Sequence, residues 1–227
     1  MSWSAASIHV LDFEGSRHSG IVEFGVATLT NGKVIAARSR LCAPASPVPA
    51  AETAVHGIAD ADITDAAPFT LEHDFFAQLR LTGPLAAHHA PVERGLLRRI
   101  WPLPPASPDF AAVNPGAAPR LSDWGPWLDT RRIYERLYPG LPNYQLMDLV
   151  QTFALNDQLS NLASLHCPAN RRRPHCALYD ALAAALLLAR LTTEPTIAAA
   201  PLSWLFEQSV TPDERDAFRQ GGLALDN

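Results

Sequence analysis

The chain has 227 residues, 48% of them hydrophobic, and a formal net charge of −5. This length and composition fit one globular domain, or one domain with an appendage, and exclude an intrinsically disordered chain. No apolar run of 18 or more residues free of charge is present, so we expect no membrane span. The acidic balance argues against a protein that coats nucleic acid nonspecifically.

The cellular compartment is indicated by two features of the sequence. The N-terminus lacks a basic segment followed by a long apolar core, so no secretory signal is evident. The three cysteines, Cys42, Cys167 and Cys176, are few and odd in number, which favours a reducing, intracellular environment. We therefore expect a cytoplasmic protein.

The first part of the chain predicts an antiparallel meander. Residues 7–14 form an apolar strand that ends in a glycine turn, residues 20–30 form a second strand, and residues 33–41 form a third. Between the last two lies Asn31-Gly32, the strongest short hairpin signal in the chain.

Two carboxylates lie in the first predicted strand, Asp12 and Glu14. Side chains two residues apart in a strand point to the same face, so these acids emerge side by side. Two unpaired carboxylates in that position would repel each other and be costly to bury. A divalent cation would remove the repulsion, and the sequence therefore predicts a metal site that other segments complete.

The rest of the chain alternates helices with short strands. This alternation after a meander predicts an α/β fold with a mixed sheet. The predicted elements are a loop-rich segment at 42–67, a helix at 65–81, a strand at 84–88, a helix at 91–101, a surface insertion or flexible loop at 102–126, a strand at 127–130, helices at 131–138, 144–155 and about 175–191, and a helical tail at 193–227 that includes a capped helix from Thr211 to Gly222.

Further acids stand near two predicted helix starts. Glu93 falls in the first turn of the helix that follows His88-His89, where the helix dipole alone would favour an acid. Asp180 lies near the start of an otherwise apolar helix, five residues after His175. A charged group there needs a partner, although the dipole explanation applies to it as well.

Together these segments resemble the three motifs of the DEDDh (DnaQ-like) 3′–5′ exonucleases. The motifs are Asp12-Phe13-Glu14, the Ala87-His88-His89-Ala90 segment with Glu93, and His175 with Asp180, and their order and spacing agree with the family. Lesser features also agree: Val22-Glu23-Phe24-Gly25, Val55-His56-Gly57-Ile58 and Asp129-Thr130. The resemblance covers about residues 7–191.

The resemblance implies a ribonuclease H-like fold, in which a five-stranded mixed sheet has helices on both faces. We therefore expect an exonuclease-like domain over residues 1–192 and a short helical extension over residues 193–227. The expected substrate is the 3′ end of single-stranded DNA or RNA, and the expected products are nucleoside 5′-monophosphates. Because no polymerase or helicase segment is present, a polymerase or another protein would have to act as a separate partner.

The resemblance also implies a two-metal phosphodiesterase. Asp12, Glu14, Glu93 and Asp180 would hold two Mg²⁺ or Mn²⁺ ions about 4 Å apart, one activating a water and the other stabilising the leaving 3′ oxygen. His175 would be the general base, a role that suits histidine near neutral pH.

Further residues are implied in substrate binding. Glu14 and the backbone beside it, at Phe13 and Gly15, would contact the terminal nucleotide. His89 would lie near it, and so would His56 unless it is only a surface-loop histidine without a role. The basic run Arg171-Arg172-Arg173 borders the expected site, where it would clamp phosphates unless it is only a solvated loop.

The second motif departs from the family. Glu93 stands where the family has Asp, His89 where it has Asn, and Val92 where it has an aromatic residue. Three outcomes stay open: a working site with shifted geometry, a weakened enzyme, or a degenerate nucleic-acid-binding or interaction module. We favour the first because the other four site residues are present.

The sequence allows two other interpretations. The pairs His166-Cys167 and His175-Cys176 fit no common zinc-ligand spacing, so zinc is disfavoured. A structural subunit that docks through the tail helices is a further alternative.

Overall fold

The computed structural model describes residues 2–210, and its centre is a five-stranded mixed sheet. The spatial order is β3-β2-β1-β4-β5. Neighbouring strands among β1–β3 are antiparallel, whereas β4 runs parallel to β1 and β5 parallel to β4. The strands are β1 (Ile8–Ser16), β2 (Gly20–Thr30), β3 (Lys33–Leu41), β4 (Leu85–Ala87) and β5 (Trp127–Asp129).

Helices connect and follow these strands. No helix in the described part of the chain is long and apolar enough to cross a membrane. The α-helices between residues 2 and 210 are α1 (Ala50–His56), α2 (His73–Thr82), α3 (Ala90–Ile100), α4 (Thr130–Leu137), α5 (Leu146–Thr152), α6 (Asn156–His166), α7 (Ala177–Leu191), α8 (Pro195–Ala198) and α9 (Leu202–Ser209), with 3-10 turns at Trp3–Ala5, Asp60–Asp62, Phe69–Glu72 and Ala169–Arg171.

The sheet separates two hydrophobic layers. Successive residues of a strand face opposite sides, so Val10 belongs to one layer and Leu11 to the other. The Val10 layer is built with α4, α5, α6, α7 and α9, and the Leu11 layer with α2 and α3. The predicted fold, a five-stranded mixed sheet with helices on both faces, is confirmed.

Helix α7 approaches the sheet most closely at Gly25. This residue pairs with Asp12 across β1 and β2 and has no side chain that would hold the helix away. A Cβ atom on Gly25 would lie 2.3 Å from the carbonyl carbon of Ala177 and from the backbone nitrogen of Leu178. The first turn of α7 therefore rests on the backbone of β2, which brings Asp180 to the carboxylates of β1.

A single carboxylate fixes the starts of two other helices. Asp129, the last residue of β5, accepts hydrogen bonds from the backbone nitrogens of Arg131 and Arg132 and so caps α4. It also accepts from the backbone nitrogens of His89 and Ala90, at 3.2 and 3.1 Å, where α3 begins. The position of α3, and with it Glu93, is therefore tied to the end of β5.

The structure adds elements that the sequence did not predict. Residues 50–56 form α1 inside the segment expected to be loop, and residues 156–166 form α6, for which no element was expected. Neither helix has a side-chain N-cap, so the usual sequence signal for a helix start is missing. Of the helix expected at 65–81, residues 65–68 are not helical, Phe69–Glu72 form a 3-10 helix, and the α-helix begins only at His73.

The segment 102–126 and the tail after residue 192 both pack against the rest of the domain more firmly than the sequence indicated. The segment 102–126 has no helix or strand, as expected, but Trp124 is fully buried and its indole nitrogen donates to the carbonyl oxygen of Trp101. In the tail, α8 and α9 are helical as expected, and Leu205 and Phe206 belong to the Val10 layer. The helix predicted from Thr211 to Gly222 lies outside the described residues.

The contact between Gly25 and α7 predicts the effect of one added methyl group. Gly25→Ala should lower the free energy of unfolding by about 1–3 kcal/mol, because α7 must move away from β2. Gly95→Ala is the matched control: a Cβ atom there meets nothing within 4 Å, and alanine should stabilise α3 by about 0.5–1 kcal/mol. Urea denaturation of the three proteins measures both changes, and equal stabilities would contradict the close packing.

Candidate active site

Two acids of β1 lie on the face of the sheet that α7 covers. Asp12 and Glu14 continue the side of the strand that carries Val10, and they pair across β2 with Gly25 and Glu23. The register therefore places the Glu14 and Glu23 carboxylates side by side on the same face. Glu14 and Glu23 are both buried.

Two more acids reach this place from helices on opposite faces of the sheet. Glu93, in the first turn of α3, is buried and interacts with the backbone N–H of Phe13 on β1. Asp180, in the first turn of α7, accepts a hydrogen bond at 2.9 Å from the backbone nitrogen of His175. One oxygen of each, Oε2 of Glu93 and Oδ1 of Asp180, is buried without a hydrogen-bond partner among the described residues.

His175 precedes α7 and completes the group. Its backbone is left-handed, with φ of +60°, and its side chain is exposed. A left-handed non-glycine residue is strained, and here the hydrogen bond to Asp180 holds the turn. Ligand atoms of Glu14, His175 and Asp180 lie within 4.8 Å of one another. The first and third sequence motifs therefore meet in space.

Burial, and to a smaller extent neighbouring acids, raises the pKa values of all four acids. Burial raises the pKa of Asp12 well above its ordinary value, and the charges of Glu93, Asp180 and Glu14 add to the effect. Burial, with smaller contributions from neighbouring acids, raises the pKa of Glu14 and of Glu93 to about 8. The pKa of Asp180 is raised by burial to about 7. Ionised together, these groups would repel strongly, so the site needs positive charge.

The buried ion pair of Glu23 and Arg171 lies next to this site and stabilises it. The Arg171 Nε donates to one Glu23 oxygen at 3.0 Å and its Nη2 donates to the other. Glu23 also accepts from the backbone nitrogen of Ala177, at 2.9 Å, and Arg171 donates to the carbonyl oxygen of His56 at 2.7 Å. Glu23 is not among the predicted site residues, although a glutamate inside an apolar strand indicates a buried partner.

The three arginines predicted to clamp phosphates differ in what they contact. Arg171 is buried and fully engaged within the protein. Arg172 donates to the carbonyl oxygens of Cys167 and Ser164, near the end of α6. Arg173 is exposed beside the site and donates to the carbonyl oxygen of His56 at 3.1 Å. Phosphate contact remains a prediction for all three, and Arg173 is the best placed of them for it.

The other residues predicted to contact substrate differ in where their side chains lie. The Phe13 side chain points to the opposite layer, where it packs against Phe69 and Phe76, so only its backbone faces the site. Gly15 lies at an irregularity of β1 with φ of +122°, and a Cβ atom there would be 2.0 Å from the Gly20 oxygen. His89 is exposed at the start of α3.

Of the two histidines predicted to contact substrate, His56 is the one whose ring is buried. Its Nδ1 accepts a hydrogen bond from the backbone nitrogen of Ile58 at 3.1 Å, which leaves Nε2 protonated in the neutral ring. That Nε2 has no partner among the described residues, and burial lowers the pKa of the ring. His56 therefore faces the ion pair through its carbonyl oxygen and carries an unused donor on its ring.

The residues present fit a divalent cation. Four carboxyl groups converge, two of their buried oxygens have no hydrogen-bond partner among the described residues, and burial makes their joint ionisation unfavourable. Carboxylate oxygens are the ligands that Mg²⁺ and Mn²⁺ prefer. The cysteines do not compete for this role, because Cys167 and Cys176 are absent from the group of ligand atoms around Glu14.

The raised pKa values predict how stability depends on pH without metal. An acid whose folded pKa lies above its unfolded value stabilises the protein below the unfolded pKa, and this contribution disappears as pH rises through the folded pKa. Since the folded values are about 7 to 8, the melting temperature in EDTA should fall by at least about 4 °C between pH 6.5 and 8.5. Mn²⁺ should reverse the fall, because it binds the ionised carboxylates.

Two variants serve as controls for that measurement. Glu14→Gln should make the fall in EDTA smaller, because it removes one of the titrating acids, whereas Glu135→Gln, in a surface ion pair with Arg131 on α4, should leave it unchanged. The window avoids the buried histidines His9 and His88, whose pKa values are lowered to about 4 by burial. A flat profile for the wild-type protein in EDTA would contradict the clustering of the acids.

Comparison with known proteins identifies the fold. No family model matches the sequence, and no curated protein matches it. Solved structures do match. Exonuclease X in complex with 5′ overhanging duplex DNA is 24% identical with a TM-score of 0.61, over 88% of this chain and 99% of that one.

Two further structures are similar over nearly the same part of the chain. The nuclease domain of 3′hExo, a DEDDh family member bound to rAMP, is 14% identical with a TM-score of 0.56, over 87% of this chain and 97% of that one. Exonuclease I is 16% identical with a TM-score of 0.59, over 88% of this chain and 43% of that one. The resemblance found in the sequence is thus confirmed for the fold: this chain has the ribonuclease H-like fold of the DEDDh 3′–5′ exonucleases.

Proposed function

We propose that this protein is a metal-dependent 3′–5′ exonuclease that releases nucleoside 5′-monophosphates from the ends of single-stranded DNA or RNA. The observation that carries the proposal is the meeting of Glu14, His175 and Asp180 within 4.8 Å at the end of the central strand, with the Asp12 and Glu93 carboxyls close enough to interact electrostatically with them, in a sheet that has the exonuclease fold. Three of the chain's segments, far apart in sequence, contribute to that group.

The carboxylates are proposed to hold two Mg²⁺ or Mn²⁺ ions. When bound there, such ions would neutralise charge on the scissile phosphate and increase the acidity of a water. The unpartnered oxygens of Glu93 and Asp180 are natural ligand atoms, because coordination would give each the partner that the protein does not supply.

His175 is proposed as the general base. It would take a proton from the attacking water while the new P–O bond forms and the bond between phosphorus and the 3′ oxygen breaks. The 3′ oxygen would leave as an oxyanion and take a proton from solvent, which gives the free 3′ hydroxyl of the shortened strand. Its backbone is fixed by the hydrogen bond to Asp180, so its ring stays beside Glu14. An exposed ring at this position can reach a water at the substrate end.

Removing either a proposed ligand or the base predicts loss of activity. Asp12→Asn and His175→Ala should each reduce hydrolysis of a 5′-labelled oligonucleotide by at least about a hundredfold with Mn²⁺ present. Arg120→Gln, in the 102–126 segment, should retain wild-type activity. Matched DNA and RNA oligonucleotides identify the substrate. Undiminished activity of both site variants would disprove the assignment.

The substitution in the second motif gives a sharper prediction. Because Asp129 fixes the start of α3, the helix cannot move to compensate for a shorter side chain. Glu93→Asp should therefore retract the carboxylate by one methylene and weaken Mn²⁺ binding about tenfold, and Glu93→Gln should weaken it further. Calorimetric titration with Mn²⁺ measures both variants.

The same variants distinguish the alternative of a degenerate binding module. If Glu93→Asp binds Mn²⁺ more tightly and degrades oligonucleotides faster than the wild type, the natural glutamate weakens an otherwise intact site and does not fit a site of shifted geometry. If neither protein binds Mn²⁺ or degrades oligonucleotides, the interaction module becomes the better interpretation.

A further inference from the structure

The loop that carries His175 begins and ends at the same carboxylate. Arg171 ends a 3-10 turn and Ala177 is the first residue of α7, so only residues 172–176, the His175 loop, lie between them. The Glu23 side chain on β2 accepts hydrogen bonds from the Arg171 side chain at one end and from the backbone nitrogen of Ala177 at the other. One buried side chain therefore fastens both ends of the His175 loop.

The start of α7 has no cap from its own N-cap residue. Cys176 occupies that position, and its side chain forms no capping hydrogen bond. The Glu23 carboxylate caps the helix from β2 instead, where a negative charge also interacts favourably with the helix dipole. Within the loop, the backbone nitrogen of His175 donates to Asp180. The left-handed turn at His175 is thus held between two carboxylates, one on β2 and one on α7.

The Arg171 guanidinium is engaged through all three of its nitrogens. Nε and Nη2 donate to the two oxygens of Glu23, and Nη1 donates to the carbonyl oxygen of His56 at 2.7 Å. Only 10% of the side chain is exposed. A phosphate could bind this guanidinium only by displacing Glu23 or His56, so these contacts disfavour the predicted phosphate clamp at Arg171.

The same ion pair adjoins the proposed metal ligands. Glu23 lies opposite Glu14 in the pairing of β1 with β2, so its carboxylate is next to a ligand as well as to the His175 loop. Ligand atoms of Glu14, His175 and Asp180 lie within 4.8 Å of one another, and none of these atoms belongs to Glu23 or Arg171. The ion pair therefore supports this group from outside it.

We propose that Glu23 and Arg171 are positioning residues, whose ion pair fixes the His175 loop so that His175 and Asp180 face Glu14 in one geometry. The proposal rests on the proposed nuclease function for its effect on turnover. It assigns Arg171 to support of the site and not to binding of a substrate phosphate. Loss of the ion pair should therefore lower kcat and leave KM unchanged.

Amide hydrogen exchange in the metal-free protein tests the positioning without requiring hydrolysis. Glu23→Gln removes the charge that fastens both ends of the His175 loop, whereas the milder Arg171→Lys keeps the charge of the pair but cannot form its two parallel hydrogen bonds. In each variant the His175 amide should exchange at least about tenfold faster than in the wild type, and the Kd for Mn²⁺ in calorimetric titration should rise about tenfold or more.

Glu72→Gln is the matched control for both variants. Glu72 is also a buried glutamate that pairs with two arginines, Arg38 and Arg40 of β3. Arg40 lies opposite Phe24, which belongs to the Leu11 layer, so this ion pair is on the face of the sheet away from α7. Its loss should lower the overall stability while exchange at His175 and the Kd for Mn²⁺ stay as in the wild type.

Steady-state kinetics with Mn²⁺ then distinguish positioning from phosphate binding. In Glu23→Gln and Arg171→Lys the value of kcat should fall at least about tenfold, with KM within about twofold of the wild type. A rise in KM at unchanged kcat overturns the proposal, as does His175 exchange that is unchanged in both variants or equally fast in Glu72→Gln. If the wild type degrades no oligonucleotide, the nuclease function fails, while exchange and Mn²⁺ binding still decide the positioning.

Discussion

The buried ion pair of Glu23 and Arg171 is the contact on which the arrangement of the site depends. It joins β2 to the loop before α7, and through the Ala177 nitrogen and the His56 carbonyl it also holds the start of α7 and the end of α1. Breaking such a pair by removing one partner leaves an unpaired buried charge, which is strongly destabilising. In this protein it would also release the turn that carries His175.

Near that ion pair, the fold brings together four carboxyl groups that repel one another when all are ionised. Folding brings the carboxyls of Asp12, Glu14, Glu93 and Asp180 out of water and close together, and their raised pKa values measure the cost. The guanidinium of Arg171 offsets part of the repulsion at Glu14 but is already bonded to Glu23. A cation that binds from solvent would neutralise the remaining repulsion among the carboxylates. Metal binding would therefore be thermodynamically coupled to folding stability.

The elements of the fold and site that depend on local sequence patterns were predictable from the sequence. The first three strands match their predicted ranges to within two residues, because alternating apolar residues and Asn31-Gly32 define them. The pairing of Asp12 with Glu14 follows from strand geometry alone. Helices α1 and α6 were not predicted because neither begins with a capping side chain. The internal contacts of Arg171 were not predicted either, since a charged run in a sequence does not reveal which member is turned inward toward Glu23.

The double capping by Asp129 has a consequence for how this chain can vary. Four backbone N–H groups from the starts of α3 and α4 converge on one carboxylate, which acts as a clamp at the end of β5. The irregular segment 102–126 leaves α3 at its far end, and β5 then returns the chain to the clamp. Trp124 and the ion pair of Asp123 with Arg94 attach the end of that segment to α3, so its exposed earlier part is where the chain can acquire new surfaces while the spacing of its acids is preserved.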